Sequence, residues 1–246
     1  MKLLCIDTTA IAGSVALAEG TRLVAQEQHG AAGTHSERLL ASIEHVLAVV
    51  RWQCSEIEGI AVAIGPGSFT GLRIGLATAK GLAIATGIPV AGASSLASLA
   101  LNGRGFSGTV VPLIDARRGE LYAAAWTVDA VGTMKALLPE CVASPADVVR
   151  KLKKIKGALL LVGDGALVYA DALCDGLGRR AQVAGGTQLW PQAINLAELT
   201  HEHLASAKSD GVAELLPNYI RRSDAEIGFL GKGTAPKKKV ARGRTS

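Results

Sequence analysis

Three short clusters in this chain have residue types and spacings suited to chemistry. The first is Gly65-Pro66-Gly67-Ser68-Phe69-Thr70-Gly71, which follows the apolar run 59–64 and opens a segment with helical periodicity. Glycines at a strand-to-helix turn allow backbone conformations that a Cβ forbids, and they leave N–H groups at a helix N-terminus, where an anion is favoured. The spacing fits neither common nucleotide fingerprint. A Walker loop needs Gly-Lys-Ser/Thr where Gly71 is followed by Leu72, and a dinucleotide loop needs G-x-G-x-x-G where Gly65-x-Gly67-x-x-x-Gly71 stands. The second cluster is Asp7-Thr8-Thr9, directly after an apolar strand pattern. A carboxylate there could position a magnesium ion through water, with Gly163 and Gly165 as a vestigial adenosine loop. Without a Lys or Arg in either loop, turns closed by their own side chains are the competing and favoured reading. The third cluster, Asp115, Arg117, Arg118 and Glu120, reads as a solvated hairpin turn or as a holder of a partner or of phosphates. The five histidines include no pair at ligand spacing; His201 and His203 would point about 200° apart on a helix. Four scattered cysteines with no C-x-x-C indicate neither zinc nor a disulfide framework, and Cys5 reads as a small buried hydrophobe.

The elements that must position these clusters follow from periodicity. Strands are expected over 2–7, 13–19 and 22–28. Thr34-His35-Ser36-Glu37 fits a capping box opening a helix to residue 50, with Leu39, Leu40, Ile43, Val46, Leu47 and Val50 on its apolar face. A strand over 60–64, the glycine loop, a helix ending at Gly87-Ile88-Pro89, a further short strand and a short helix over 96–101 complete the first half. After residues 102–108 the pattern restarts: a strand over 109–115, its hairpin partner over 120–128, a strand over 134–138, a helix over 144–154 and a strand over 158–162. Helices from 163–165 to 173 and over 193–207 follow. Two halves that each open with a strand, an Asp and a hairpin predict a duplicated α/β fold, with domains 1–105 and 106–222 and a tail over 223–246. Gly71, Gly75, Ala79 and Ala83 recur every four residues, leaving one helix face almost without side chains. Each helical Gly gives up about 0.8–1.0 kcal/mol relative to Ala, so another backbone must come close along this stripe. Tight packing on the chain's own sheet and a contact with another subunit's helix both satisfy that.

With 246 residues, 49% hydrophobic and 19% charged, the composition is that of a globular α/β chain. No apolar run is long enough to span a bilayer, and Asp7 interrupts the first one, so neither an anchor nor a leader is expected and a reduced cytoplasmic setting fits. The net charge of +5 is concentrated in the tail, where six basic residues from Ser223 onward face two acidic ones. The remainder is nearly neutral and gives no global electrostatic case for nucleic acid. The tail reads as disordered.

Ile6-Asp7-Thr8-Thr9, His35-Ser36-Glu37, Gly65 through Gly75, Ile114-Asp115-Ala116-Arg117 and Pro217-Asn218-Tyr219-Ile220-Arg221 together resemble the TsaB family, also called YeaZ, over roughly residues 1–222. The resemblance implies the duplicated actin/sugar-kinase/Hsp70-type fold. It also implies a role in tRNA threonylcarbamoyladenosine biosynthesis: a non-catalytic subunit that binds a TsaD-type paralogue, which modifies the adenosine beside the anticodon of tRNAs reading ANN codons. A TsaE-type ATPase and, through the complex, tRNA are the further partners implied, with a homodimer as an option when the paralogue is missing. TsaD-type sequences carry an H-x-x-x-H pair where this chain has Ser95 and Leu99, so metal and ATP are expected on the partner and no cofactor on this chain alone. The partner surface is expected on the first helix (His35, Leu39, Leu40, Ile43, Val46, Leu47) beside the small-residue helix (Phe69, Leu72, Gly75, Leu76, Ala79). The alternative reading is an autonomous ATP-dependent kinase or phosphotransferase of the same fold.

Overall fold

A computed structural model describes residues 1–29, 35–206 and 211–221, without the side chains of residues 29 and 35–37. The tail, the capping box and the expected interface side chain of His35 lie outside the described residues. β1 (Lys2–Asp7) is the centre of the first sheet, paired antiparallel with β2 (Gly13–Glu19) and parallel with β4 (Gly59–Ala63). With β3 (Arg22–His29) and β5 (Val90–Ala93) the order is β3-β2-β1-β4-β5. The second sheet repeats this plan with β6 (Thr109–Arg117) in the place of β1. β7 (Glu120–Val128) and β8 (Met134–Ala143) lie on one side of it, β9 (Leu159–Val162) and β10 (Ala181–Val183) on the other. The same strand order in both halves bears out the duplicated fold read from the restart after residue 108.

Both faces of each sheet are covered, which is why the central strands read as unbroken apolar runs. Leu4, Ile6, Val15, Leu17, Ile60 and Val62 face α1 (His35–Val50) and α2 (Phe69–Thr86). Leu3, Cys5, Ala16, Ala18, Ala61 and Ala63 face α7 (Ile194–Ala205), where the small residues admit Leu196, Ala197 and Leu204. On the second sheet, Val110, Ile114, Ala124 and Val162 meet α3 (Ser95–Ala100), while Val111, Leu113, Leu121 and Leu161 meet α4 (Pro145–Leu152) and α6 (Ala170–Leu177). Leu199 of α7 also packs on the α3 cluster, so α3 and α7 lie between the two sheets. Thus α7, which follows the second sheet in sequence, returns to pack on the first.

Three elements differ from the sequence expectation. β8 runs on to Ala143 because Leu121↔Ala143, Tyr122↔Val142 and Ala123↔Cys141 continue its ladder with β7. The helix expected from 163–165 to 173 is two: α5 (Asp164–Val168) stops at Tyr169, whose φ/ψ of −117/25 is not helical, and α6 follows. β10 is a three-residue edge strand, too short to leave a period. Cys5 is fully buried, and burial pushes its thiol up to about 12, as suits a core hydrophobe rather than a nucleophile. Among the described residues no helix is long and apolar enough to cross a membrane.

Candidate functional site

The Asp7-Thr8-Thr9 turn leaves β1 at the sheet's end and is closed by its own groups. Thr9 donates its backbone N–H (3.0 Å) and its hydroxyl (2.6 Å) to Asp7 Oδ1. The glycine loop lies directly on this turn. Ser68 N–H donates to the Thr9 carbonyl at 2.7 Å, and the Thr8 hydroxyl donates to the Gly71 carbonyl at 2.7 Å. A Cβ at Gly67 would stand 2.3 Å from the Thr9 oxygen, and one at Gly71 would stand 1.9 Å from the Thr8 oxygen. Two backbones therefore touch without side chains between them, which is what these glycines are for. α2 then begins at Ser68, whose hydroxyl accepts from Gly71 N–H, and ends at Gly87 in the left-handed region, φ +73°.

The structure places most of the expected interface residues inside the chain. Gly75 faces inward, its Cβ position 2.3 Å from Thr8 Oγ1, and Leu39, Ile43, Val46, Leu72, Leu76 and Ala79 are buried in the chain's own core. The inward stripe packs internally, so these residues are not available at the surface. Of the expected interface residues, Leu40 and Phe69 are exposed and Leu47 is half-buried. Among the candidates for cofactor contact, Thr8 has spent its hydroxyl on Gly71. Gly163 and Gly165 are closed off by the Leu113 backbone, 2.2 and 3.0 Å from their Cβ positions, with Leu99 and Leu121 packed alongside. Leu99 is thus a packing residue, and Ser95 beside it is buried as well.

The second hairpin supplies the opposite wall. Asp115 and Arg117 form an ion pair at 3.2 Å, Arg117 N–H donates to Asp115 Oδ1 at 2.9 Å, and Asp115 N–H donates to Asp164 Oδ1 at 3.1 Å. Arg117 and Arg118 adopt left-handed φ of 63° and 57°, and Gly119 completes the turn at 77°. The segment 211–221 ties the two walls together. Asn218 N–H donates to the Ile64 carbonyl at 2.7 Å and its side-chain amide donates to Glu140 at 3.2 Å. Glu140 also accepts from Ser94, the N-cap of α3, and Arg221 pairs with Glu120 at 3.1 Å. Between the walls lies a cleft of about 620 Å³, lined by Thr9, Ile11, the glycine loop, Arg73, Asp115, Arg117, Asp164, Asn218, Tyr219 and Arg221. At its mouth the Phe69 and Tyr219 rings stack at 5.5 Å, Arg73 lies 3.9 Å over Phe69, and its Nε–H donates to the Tyr219 hydroxyl at 3.2 Å.

Sequence reasoning singled out Asp115, Arg117 and Thr9 but not Arg73, Glu140, Asn218, Tyr219 and Arg221 as site residues. Two of these, Tyr219 and Arg73, are 146 positions apart, and no local pattern joins them. Among the described residues no three His, Cys, Asp or Glu side chains converge as metal ligands.

Asp7 is buried, and its Oδ2 has no partner among the described residues. Burial pushes its carboxyl above the usual range, the two Thr9 bonds opposing. A raised folded-state value means the native chain holds this proton more tightly than the unfolded chain. The resulting stability is full below the unfolded value, about 3.9 for Asp, and is lost as pH rises through the folded value. Asp7→Asn, which keeps an acceptor for Thr9, is therefore expected to gain stability over the parent at neutral pH. That gain should fade on acidification, as urea unfolding across an acid-to-neutral series would show.

Residues 25–229 match the family model described as TsaD: tRNA N6-adenosine threonylcarbamoyltransferase. The chain is 32% identical over 230 residues to the tRNA threonylcarbamoyladenosine biosynthesis protein TsaB of Bacillus subtilis, spanning 94% of this chain and 98% of that one. A Pseudomonas aeruginosa crystal structure, of a protein described as similar to peptidase YEAZ, superimposes with a TM-score of 0.76 at 28% identity, over 89% of this chain and 99% of that one. Component A of the Acidaminococcus fermentans (R)-2-hydroxyglutaryl-CoA dehydratase is similar in fold alone, with a TM-score of 0.52 at 13% identity over 83% of this chain and 99% of that one.

Proposed function

The chain belongs to the TsaB family, and from that premise we propose that it is a non-catalytic subunit of tRNA threonylcarbamoyladenosine biosynthesis that docks a TsaD-type paralogue. The observation that carries the docking half of this reading is the outward face of α2. Ala77, Gly81 and Ala85 are exposed and spaced by four, and a Cβ at Gly81 would meet nothing within 4 Å. Unlike Gly71 and Gly75, Gly81 has no neighbour among the described residues that requires it, yet it costs the helix about 0.8–1.0 kcal/mol relative to Ala. Ile84 beside it is 72% exposed, and α1 presents Leu40 and Val49 at 52% and 63%. An apolar face with a side-chain-free groove suits a closely packed partner helix. Mixing the chain with its organism's TsaD-type protein and weighing the product by light scattering tests this. A heterodimer is the expected result, and two unassociated species would refute it.

In this reading metal and ATP sit on the TsaD-type partner, a TsaE-type ATPase joins the assembly, and tRNA is met through the complex. A second copy of the chain would cover the same face when the paralogue is missing. Titrating the purified chain with Mg-ATP in a calorimeter is expected to give no binding heat. The Thr8 hydroxyl is engaged, the turn offers no Lys, and the Gly163–Gly165 backbone is packed against Leu113. Saturable binding would favour the kinase alternative.

A further inference from the structure

We propose that the mouth of the cleft binds an unpaired stretch of RNA, its bases stacking on the Phe69–Tyr219 surface and its phosphates meeting Arg73 and the arginines around it. The proposal rests on the tRNA-pathway reading above and adds the surface by which this chain itself would touch the nucleic acid. Phe69 and Tyr219 are 41% and 43% exposed although they stack on each other, so π surface remains open to solvent. Neither ring is needed to fill a core, and every base has a face able to stack on such a surface. Arg73 lies over Phe69 and bonds Tyr219, and among the described residues it has no carboxylate partner. Arg117, by contrast, is paired with Asp115, and Arg221 with Glu120. Arg117 and Arg118 are exposed on the facing hairpin.

The placement favours a strand over a free mononucleotide. Both rings are about two-fifths exposed, so a lone base stacked on them would keep much of its surface in water. A strand adds phosphates that can reach the cations of the facing hairpin. A duplex offers no base face to the rings. Phe69 and Arg73 continue the four-residue row of Ala77, Gly81 and Ala85 toward the N-terminus of α2, with Gly81 about 12 Å beyond Arg73, while Tyr219 stands off the helix on the segment 211–221.

The test uses the full chain and a short fluorescein-labelled single-stranded RNA of mixed sequence, read by anisotropy over a salt series. Wild type is expected to bind the strand at least about tenfold more tightly than the corresponding duplex. Tyr219→Leu should weaken binding about tenfold with an unchanged salt slope, and Arg73→Gln should weaken it and reduce the slope by about 1. Phe69→Leu serves in place of Tyr219→Leu if the latter melts early. The proposal is overturned if the leucine variant binds as wild type does, if the duplex binds as well as the strand, or if adenosine monophosphate displaces the RNA at equal concentration. Gly81→Trp should leave RNA binding unchanged, and Tyr219→Leu, a change off the helix, should leave partner binding unchanged. Failure of the docking reading and failure of the RNA site are therefore separate outcomes.

Discussion

Gly81→Trp is expected to abolish docking of the TsaD-type partner, with a loss of at least about thirtyfold in affinity, while the chain's own melting temperature holds or rises. The reason is that Gly81 is exposed on α2 and its Cβ position meets nothing within 4 Å among the described residues, so the chain itself can accept a large side chain there. A helix seated in the groove of Ala77, Gly81 and Ala85 cannot. Gly81→Ala sharpens the test. It should stabilise the isolated chain by about 0.8–1.0 kcal/mol through helix propensity alone and perturb docking far less than Trp. Calorimetric titration with the partner, together with thermal melts of each variant, reads both effects. Wild-type affinity in the Trp variant would show that the outer face of α2 is not the docking surface.

Gly71→Ala should do the opposite on the same helix. Its Cβ would fall 1.9 Å from the Thr8 carbonyl oxygen, and that oxygen belongs to a backbone held in place on both sides. Thr8 donates to Gly71 O, and Ser68 N–H donates to Thr9 O, so neither the turn nor the helix can withdraw without breaking buried hydrogen bonds. A loss of about 3 kcal/mol or more in urea unfolding is expected, at the upper end of what overpacking costs. Gly75→Ala should lose less, about 1–2 kcal/mol, because the atom it meets is Thr8 Oγ1 at 2.3 Å. A hydroxyl can rotate away, at the cost of its bond to Gly71 O. Three glycines of one helix are thus expected to rank Gly71, Gly75, Gly81 from severe to stabilising. Equal losses at all three would contradict the contact geometry described here.

The amino-acid sequence by itself determined the elements and their duplication. Short unbroken apolar runs such as 3–6 and 60–63, bounded by turn residues, read as strands covered on both faces. The strand–Asp–hairpin opening recurs after residue 108 because the same sheet plan is built twice. It also determined that α2 must meet a backbone closely, since glycines every four residues in a helix are otherwise a loss of stability. Which side of α2 meets what was decided by the tertiary structure alone. Small residues occupy both Gly71-Gly75-Ala79-Ala83 and Ala77-Gly81-Ala85, and periodicity gives spacing along a helix but not its rotation about its axis against the sheet. Only the seating of Gly71 and Gly75 on Thr8 shows that the first stripe is internal and the second free. The cleft is likewise tertiary in origin. The return of segment 211–221 brings Tyr219 to Arg73 and Asn218 to Glu140, while the packing of α5 on β6 brings Asp164 to Asp115 and the N-cap of α3 brings Ser94 to Glu140. Side chains so far apart in sequence share no period or spacing, so their convergence is set by chain topology and not by any local pattern of residues.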